Sequence, residues 1–416
     1  MTSASRADLL ESRGGRVAVG AAIAALFLAI RLVLWKVREP FFDELFTGWI
    51  SRKTFGGIVG ALRFDSGPPL YYFVVKVLAW PRGVSLAASF VALLAMLRKR
   101  HFAAATLAGL FPPAVLFAVD GRAYALCAMF VTLGVLALDD DREWAAAFAF
   151  VLAAYSHYYG VLFFPLLVRR PRTLVVALLF APQLWLAMHQ PKEAMAWVDG
   201  LRYPDALFPR IPLAVLIGGI VLIVAGVSRR WNVFATATVV PIAMALAFAL
   251  AGRAIYVPLR FESVLAPPLL LWLGTAVEAW PATVRRGLVG ATALVFGAVT
   301  ALGIADHASR PPDPYRRAAL AAATTPPVVA SGYLYLETVV RCPSTIAFPR
   351  EQALHPGWRA NLRAAELRRQ VDALPPSFVW VGEAGAPELR VLSERYRVDS
   401  LAANGTAVVA RMSRRS

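Results

Sequence analysis

Long apolar runs are the feature that most constrains this chain. They follow one another between residues 17 and 305, separated by short charged or Pro/Gly-rich breaks. A run of roughly 20 apolar residues is long enough to cross a bilayer as a helix. The composition agrees, since 58% of the residues are hydrophobic and only 17% are charged. We therefore predict a mainly α fold, a polytopic transmembrane bundle of about 10–11 helices. The predicted spans are 17–37, 68–97 (interrupted), 102–119, 122–138, 144–158, 159–168, 173–189, 211–227, 231–251, 261–277 and 287–305.

The net charge of +17 is placed as in a membrane protein. Arginines cluster in short breaks between apolar runs, as cytoplasmic loops do under the positive-inside rule. No basic groove with interleaved aromatic residues is present, which argues against a nucleic-acid partner. Basic residues also precede the first span, so we predict a cytoplasmic N-terminus and extracytoplasmic loops at 38–67, 120–122, 155–160, 190–210 and 252–260. The interruption of 68–97 leaves the number of crossings there open. The clusters are 98–100, 169–172, 229–230 and 285–286.

The chain changes character after residue 305. Residues 306–416 are polar and Pro-rich, with strand-like runs and an Arg-bearing helical stretch between them. This order predicts a small soluble α/β domain outside the cytoplasm, following a membrane domain of residues 1–305. Asn404 and Gly405 before the last run predict a hairpin turn. Cys127 lies in an apolar run and Cys342 in the polar part, so no disulfide is expected. The strand-like runs are 327–330, 377–381 and 406–410, and the helical stretch is 357–373.

The first outer loop opens with adjacent carboxylates, Asp43 and Glu44. Carboxylates beside lipid are costly to desolvate and need a reason. One of them can accept a proton from a hydroxyl that attacks a sugar carbon. The pair can also hold a divalent cation beside a phosphate. The alternative is a structural role at the N-terminus of the helix that follows. The residues alone leave these roles open.

Two further outer segments carry polar and aromatic side chains. Asp65 precedes a Pro-Pro helix start that is followed by Tyr71 and Tyr72. A second segment contains His157 and Tyr158 among other tyrosines. Tyrosines favour the membrane interface, so an aromatic belt explains the first pair without any function, although it does not explain Asp65. His157 is either a packed interface residue or a substrate contact.

Two arginines lie at the outer ends of predicted helices, Arg122 with Tyr124 close behind it, and Arg260. A guanidinium there can grip a phosphate through its planar fork of donors. The alternative is snorkelling, in which the charge reaches the interface while the stem stays in lipid.

Five segments in this order resemble the GT-C superfamily of membrane glycosyltransferases. Within it they are most similar to the branch of protein O-mannosyltransferases and lipid A aminoarabinose transferases. Order and spacing agree over roughly residues 17–305. One departure is Gly67, where many relatives have His before Pro-Pro. The segments are Asp43-Glu44, DSGPPLYY at 65–72, GRAYAL at 121–126, YSHYYG at 155–160 and RFESVLAPPLLL at 260–271.

The resemblance implies a hexosyl- or pentosyltransferase that uses a polyprenyl-phosphate sugar as donor. The acceptor would be a glycan, lipid or protein hydroxyl outside the cytoplasm, and transfer would invert the anomeric carbon. The acidic motif of the family falls on Asp43 and Glu44, with Asp43 as the expected base, and its second acidic position falls on Asp65. We expect Arg122 and Arg260 to contact the lipid phosphate. The implied location is a bacterial plasma membrane, with no certain cofactor and a divalent cation left open.

Two other functions are compatible with parts of the pattern. A polyprenyl-lipid or polysaccharide transporter or flippase also needs charges within the membrane and broken helices. Against it, the charges cluster at one face of the membrane and no inverted repeat is visible. A non-catalytic scaffold that displays the C-terminal domain leaves the acidic pair and the outer arginines without a role.

Overall fold

The computed structural model describes residues 13–168, 172–191, 231–251, 255–278, 280–311, 313–325, 327–354 and 362–415. These residues form two compact units. The membrane unit is Met1–Arg38 with Ser66–Ala308, and the C-terminal unit is Glu39–Asp65 with Ser309–Ser416. The predicted span 211–227, most of loop 190–210 and the arginines at 169–170 and 229–230 lie outside the described residues.

The membrane unit is built from helices, as the sequence predicts. Among the described residues, four segments are long and apolar enough to cross a membrane, at Gly14–Val37, Pro81–Arg98, Val233–Leu250 and Ala282–Ala323. A 3₁₀ helix spans Tyr158–Leu167. The predicted polytopic helical fold is thereby confirmed. The helices are α1 (Arg13–Val37), α4 (Leu70–Leu78), α5 (Pro81–Arg98), α6 (Phe102–Leu110), α7 (Pro112–Ala118), α8 (Tyr124–Asp139), α9 (Glu143–Ser156), α10 (Arg172–Met188), α11 (Val233–Leu250), α12 (Arg260–Glu278) and α13 (Ala282–Ser309).

The interrupted run 68–97 consists of two helices of unequal length. The first, α4, has 9 residues and is too short to span a bilayer at about 1.5 Å per residue. It ends at Ala79 in the left-handed region (φ 52°), and Pro81 then opens α5. With 18 residues, α5 is long enough for a crossing. Of these two helices, only α5 is long and apolar enough to cross a membrane by itself.

The predicted span 102–119 is also broken, at Phe111 between α6 and α7. Pro112 and Pro113 follow, and neither can donate a backbone hydrogen bond to the carbonyl four residues earlier. The guanidinium of Arg31, fully buried in α1, donates to these carbonyls, 2.7 Å to Gly109 and 3.4 Å to Ala108. Since an unsatisfied carbonyl in the membrane costs several kcal/mol, this contact explains a buried charge inside an apolar helix.

The core of the membrane unit surrounds α8 and α12. Helix α8 packs against α5, α9 and α12, and α12 also packs against α6 and α11. Almost every described side chain of α12 is buried, including Trp272, although Pro267 and Pro268 lie inside it. Small residues let the helices approach closely. Gly134 of α8, for example, lies against the ring of Phe150 in α9. Helices α8 and α12 are therefore held by packing on several sides, so their first residues are well placed to carry a site.

Charged pairs mark one end of this bundle. Lys99 pairs with Asp140, and Arg172 pairs with Glu143. Both pairs lie beside the C-terminal end of α8, roughly 24 Å along the helix from its first residue. The loops with the arginine clusters 98–100 and 169–172 were predicted on one side of the membrane, and their ion pairs lie at one end of the unit.

The C-terminal unit holds a five-stranded sheet with the strand order β2-β1-β3-β5-β4. β1 is parallel to β2 and β3, whereas β3–β5 and β5–β4 are antiparallel. The small α/β domain is thereby confirmed. Gly405 (φ 63°) lies in the predicted hairpin turn, between β4 and β5. A short 3₁₀ helix spans Arg350–Ala353. The elements are α2 (Phe42–Ser51), α3 (Phe55–Leu62), α14 (Pro314–Ala323), β1 (Val328–Ala330), α15 (Tyr333–Val339), β2 (Ile346–Ala347), α16 (Ala364–Val371), β3 (Ser377–Glu383), α17 (Pro387–Arg395), β4 (Tyr396–Asn404) and β5 (Ala407–Arg414).

Helices cover both faces of the sheet. Along β3, Phe378 and Trp380 point into a core with α16 and α17, while Val379 and Val381 point into a second core with α14 and α15. This alternation is the two-residue period of a strand buried on both sides. The predicted helix 357–373 is described only from residue 362, and there α16 begins at Ala364.

The first loop contributes its own helices to the C-terminal unit. α2 and α3 lie within Glu39–Asp65, a segment that groups with the residues after 308. α15 packs directly against α2. A segment close to α1 in the sequence therefore belongs structurally to the C-terminal unit. The predicted assignment of loop 38–67 to the catalytic domain stays a prediction.

Candidate functional site

The beginnings of several helices of the membrane unit lie close together, at the end opposite the charged pairs. Helices α4, α5, α8 and α12 all begin there, and the 3₁₀ helix begins beside them. We call the side chains at this end the aromatic–arginine cluster. It contains six of the residues predicted from the sequence, namely Tyr71, Tyr72, Arg122, Tyr124, His157 and Arg260, together with Ser85 and Tyr159.

A chain of hydroxyl contacts links two of the predicted motifs. The Tyr71 hydroxyl lies 2.8 Å from the carbonyl oxygen of Pro81 and 2.9 Å from the hydroxyl of Ser85. Ser85 donates to the main-chain carbonyl of Arg122 over 3.1 Å. The side chain of Arg122 donates to the Tyr72 hydroxyl at 3.5 Å. Helix starts that are distant in sequence thus hold the turn that carries Arg122.

Aromatic rings fill the other side of the cluster. The His157 ring lies 4.7 Å from the ring of Tyr124 and 4.6 Å from the ring of Tyr159. Arg260 places its guanidinium carbon 5.6 Å from the centre of the Tyr124 ring, within range of a cation–π contact. The Tyr159 hydroxyl donates to the carbonyl of Ile255 at 2.9 Å, which ties the segment before α12 to the 3₁₀ helix.

His157 is held as a neutral imidazole. Its Nδ1 accepts a hydrogen bond of 3.2 Å from the backbone N–H of Tyr159, so the proton lies on Nε2. A neutral ring can donate from Nε2 without adding a third positive charge beside Arg122 and Arg260. These three side chains are partly buried.

The arrangement suits an anion. Two guanidinium groups lie at the N-terminal ends of α8 and α12, where backbone N–H groups and the helix dipole also favour negative charge. Guanidinium forks bind phosphate through paired hydrogen bonds. Tyr124 also lines a small cavity of about 50 Å³ in the core of the membrane unit, which is mostly apolar but includes Arg31.

Tyr158 lies outside this cluster, although its neighbour in sequence belongs to it. Its hydroxyl donates to Gln190 at 2.6 Å and accepts from Gln183 at 3.1 Å. Gln190 in turn donates to the carbonyl of Gly67 at 2.9 Å. The network ties the turn before α4 to the end of α10. Gly67 thus takes part through its backbone carbonyl.

Sequence reasoning missed two pairs that support the cluster. Asp120 is buried and lies 3.7 Å from Arg38, which fixes the turn before Arg122 from the end of α1. Glu262 is buried in the first turn of α12, and the Tyr256 hydroxyl donates to it. Glu262 lies within the segment 260–271 and Asp120 directly precedes the segment 121–126, but only their tertiary partners reveal what they do.

The predicted acidic residues lie in the C-terminal unit. Asp43 and Glu44 occupy the first turn of α2, and Glu44 is buried. The N-cap residue is Phe41, whose own side chain makes no capping hydrogen bond. The dipole of α2 favours negative charge at the positions of Asp43 and Glu44. Asp65 follows α3 and is half-buried.

The described residues contain no group of three or more His, Cys, Asp or Glu side chains that could hold a metal ion. Cys127 and Cys342 are both free.

Two solved structures are similar to this chain over nearly its whole length. Both are crystal structures of ArnT from Cupriavidus metallidurans, a lipid A aminoarabinose transferase of the GT-C superfamily. The apo form shares 14% identity at a TM-score of 0.58, covering 95% of this chain and 98% of that one. The form bound to undecaprenyl phosphate shares 15% identity at a TM-score of 0.61, covering 96% and 98%.

The protein has the GT-C fold. The resemblance found in the sequence is thereby confirmed for the architecture, including the C-terminal domain. No protein-family model matches the sequence, and no curated protein is significantly similar to it. At this level of identity the likeness establishes the fold of a GT-C multi-pass membrane protein, and the roles of single residues need their own argument.

Proposed function

We propose that this protein is a membrane glycosyltransferase that moves a hexose or pentose from a polyprenyl-phosphate donor to an acceptor hydroxyl. The observation that carries the proposal is the aromatic–arginine cluster. It places two guanidinium groups at helix N-termini above an apolar core, within a fold shared with a protein that binds undecaprenyl phosphate. A polyprenyl phosphate combines the same two features, an anion and a long hydrocarbon.

In this proposal Arg122 and Arg260 bind the donor phosphate. When the bond between the anomeric carbon and the phosphate oxygen breaks, the leaving polyprenyl phosphate gains negative charge. The two arginines stabilise that charge, so the contacts strengthen as the transition state forms. Tyr124 and neutral His157 line the sugar side. They offer a ring face and an N–H donor without another charge.

Asp43 is the proposed general base. It takes the proton from the acceptor hydroxyl as that oxygen bonds to the anomeric carbon, on the face opposite the departing phosphate. Transfer therefore inverts the configuration at that carbon. Glu44 and Asp65 are proposed to assist at the acceptor, with Tyr71, Tyr72 and Tyr158 supporting the donor side.

The proposed location is the bacterial inner membrane, with a cytoplasmic N-terminus and an extracytoplasmic C-terminal domain. In that orientation the arginine-rich loops face the cytoplasm, as the positive-inside rule expects. The acceptor is a glycan, lipid or protein hydroxyl on the outer side, and the donor needs no nucleotide because the lipid phosphate already activates the sugar.

The test is a binding and transfer measurement on purified protein. Undecaprenyl phosphate is titrated into wild type, Arg260→Gln and Arg286→Gln, and a panel of radiolabelled polyprenyl-phosphate sugars is then assayed for transfer. Arg286 is a matched control because it is an exposed arginine near the start of another helix, α13. Loss of one charge-assisted hydrogen bond costs about 1.5–3 kcal/mol, so Arg260→Gln should weaken lipid binding about 10- to 150-fold.

Arg286→Gln should bind the lipid phosphate as wild type does. Equal binding by Arg260→Gln and wild type would remove the phosphate role of the cluster. If the wild-type protein neither transferred nor released sugar from any donor, the enzymatic proposal itself would be wrong.

A further inference from the structure

The helix that carries Asp43 is held by the C-terminal domain. The ring of Phe42, the first residue of α2, meets the ring of Tyr333 edge to face, with centroids 4.9 Å apart. Tyr333 is the first residue of α15, and α15 packs along α2. Aromatic pairs in this geometry are specific in orientation as well as attractive.

A second contact fixes the chain just before α2. Arg316 of α14 forms an ion pair of 2.9 Å with Glu39. The start of α14 is itself well defined, because the Asp313 side chain accepts hydrogen bonds from the backbone N–H groups of Tyr315 and Arg316. An exposed ion pair adds little to stability, so its value here lies in orientation.

The two contacts bracket Asp43. Glu39 is four residues before it and Phe42 is adjacent, so both anchors act on the turn of chain that sets the direction of its carboxylate. α14 and α15 pack against each other and share a core with Val379 and Val381 of the central strand. Continuous packing therefore leads from the sheet to the proposed base.

We propose that the C-terminal domain positions the catalytic carboxylate, with Tyr333 and Arg316 as positioning residues for Asp43. This inference rests on the proposed function, since it assigns a task to the domain within the same reaction. A misplacement of about 1 Å at a reacting group can cost on the order of 100-fold in rate. Loosening α2 should therefore lower kcat between about 10- and 100-fold and leave donor binding unchanged.

The first experiment compares Tyr333→Ala with Tyr333→Phe in the full-length protein. Tyr333 is 43% exposed, so removing its ring does not open the domain core. Hydrogen exchange across Phe42–Ser51 is measured together with kcat and the KM for the lipid donor. Tyr333→Ala should speed exchange in α2 and lower kcat at unchanged donor KM. Tyr333→Phe keeps the ring and should behave as wild type.

The second experiment reverses the ion pair. Arg316→Glu places two carboxylates together and should lower kcat, and adding Glu39→Arg restores the attraction and should recover it. The same reversal at Arg368 and Glu394 is the matched control, because that pair is an exposed surface contact between α16 and α17. It should leave kcat and the exchange of α2 unchanged.

Unchanged exchange in α2 and unchanged kcat in both Tyr333→Ala and Arg316→Glu would overturn the proposal. A loss of kcat that the double reversal fails to recover, or an equal loss in the control pair, would overturn it as well. Failure of the proposed function gives a different experimental result. In that case Asp43→Asn keeps full transfer, while the exchange of α2 still reports whether Tyr333 and Arg316 hold the helix.

Discussion

Removal of one buried hydroxyl, in Tyr71→Phe, tests how the cluster is held together. Tyr71 is fully buried, and its hydroxyl contacts both Pro81 and Ser85, while Ser85 contacts the carbonyl of Arg122. Two hydroxyl protons thus serve three contacts, so no more than two full hydrogen bonds exist at once. The substitution removes one proton and leaves a buried acceptor without its donor. That costs about 1–3 kcal/mol.

This loss should lower the free energy of unfolding. It should also displace Arg122, because Ser85 contacts the carbonyl of that residue. If all of this cost reached the transition state, transfer would fall about 5- to 150-fold. The assays are the unfolding midpoint in detergent and kcat/KM with the lipid donor, for Tyr71→Phe, Ser85→Ala and the double variant. Because the two hydroxyls share a contact, the double variant should cost less than the sum of the single variants.

Tyr155→Phe is the matched control for this series. Its hydroxyl donates a hydrogen bond of 2.8 Å to the carbonyl of Leu179 in α10, away from the cluster. It should leave transfer unchanged. Full activity and stability in Tyr71→Phe, or strict additivity with Ser85→Ala, would refute the proposed chain of hydroxyls.

Three further predictions concern single positions. A Cβ on Gly160 would lie 2.3 Å from a backbone atom of α9, so Gly160→Ala should yield little folded protein, whereas Gly297→Ala, with open space, should fold normally. Burial raises the pKa of Glu337, so the stability of the C-terminal domain should be greatest at acidic pH and fall as pH rises through that pKa. Glu337→Gln should flatten this fall, which hydrogen exchange of β3 corrected for intrinsic rates would reveal. Thr300→Val removes the donor to the carbonyl of Leu110, 2.9 Å away, and should destabilise the protein by about 1–2 kcal/mol in a detergent unfolding titration.

Much of the membrane unit is predictable because lipid allows so few structures. Apolar runs and arginine clusters indicate helices and their ends, and the described helices follow them closely. Breaks inside runs are harder to place. The interruption of 68–97 was predicted, although not that its first helix, α4, has only 9 residues. The break of 102–119 before Pro112 was not predicted, nor was the donation from Arg31 to the carbonyls left free there.

The rest depends on contacts between distant segments. The side chains of β4 are nearly all exposed, without the alternation of apolar and polar residues that marks a strand. The strand forms by pairing with β5, so its own residues do not predict it. The packing of α2 on α15 joins segments nearly 300 residues apart in the chain, which no local pattern can indicate. The residues of the aromatic–arginine cluster could be predicted where they belong to one of the five sequence segments. Their partners Asp120 and Glu262 acquire a role only once Arg38 and Tyr256 are seen beside them.

The claim that Asp43 is the general base is tested most directly by measuring sugar transfer by the Asp43→Asn variant. The variant is assayed with the donor that wild type accepts, beside Asp141→Asn, an exposed carboxylate in the left-handed region (φ 57°) that Asn tolerates. We expect Asp43→Asn to bind undecaprenyl phosphate normally and to lose transfer, while Asp141→Asn keeps both. Full transfer by Asp43→Asn would contradict the account.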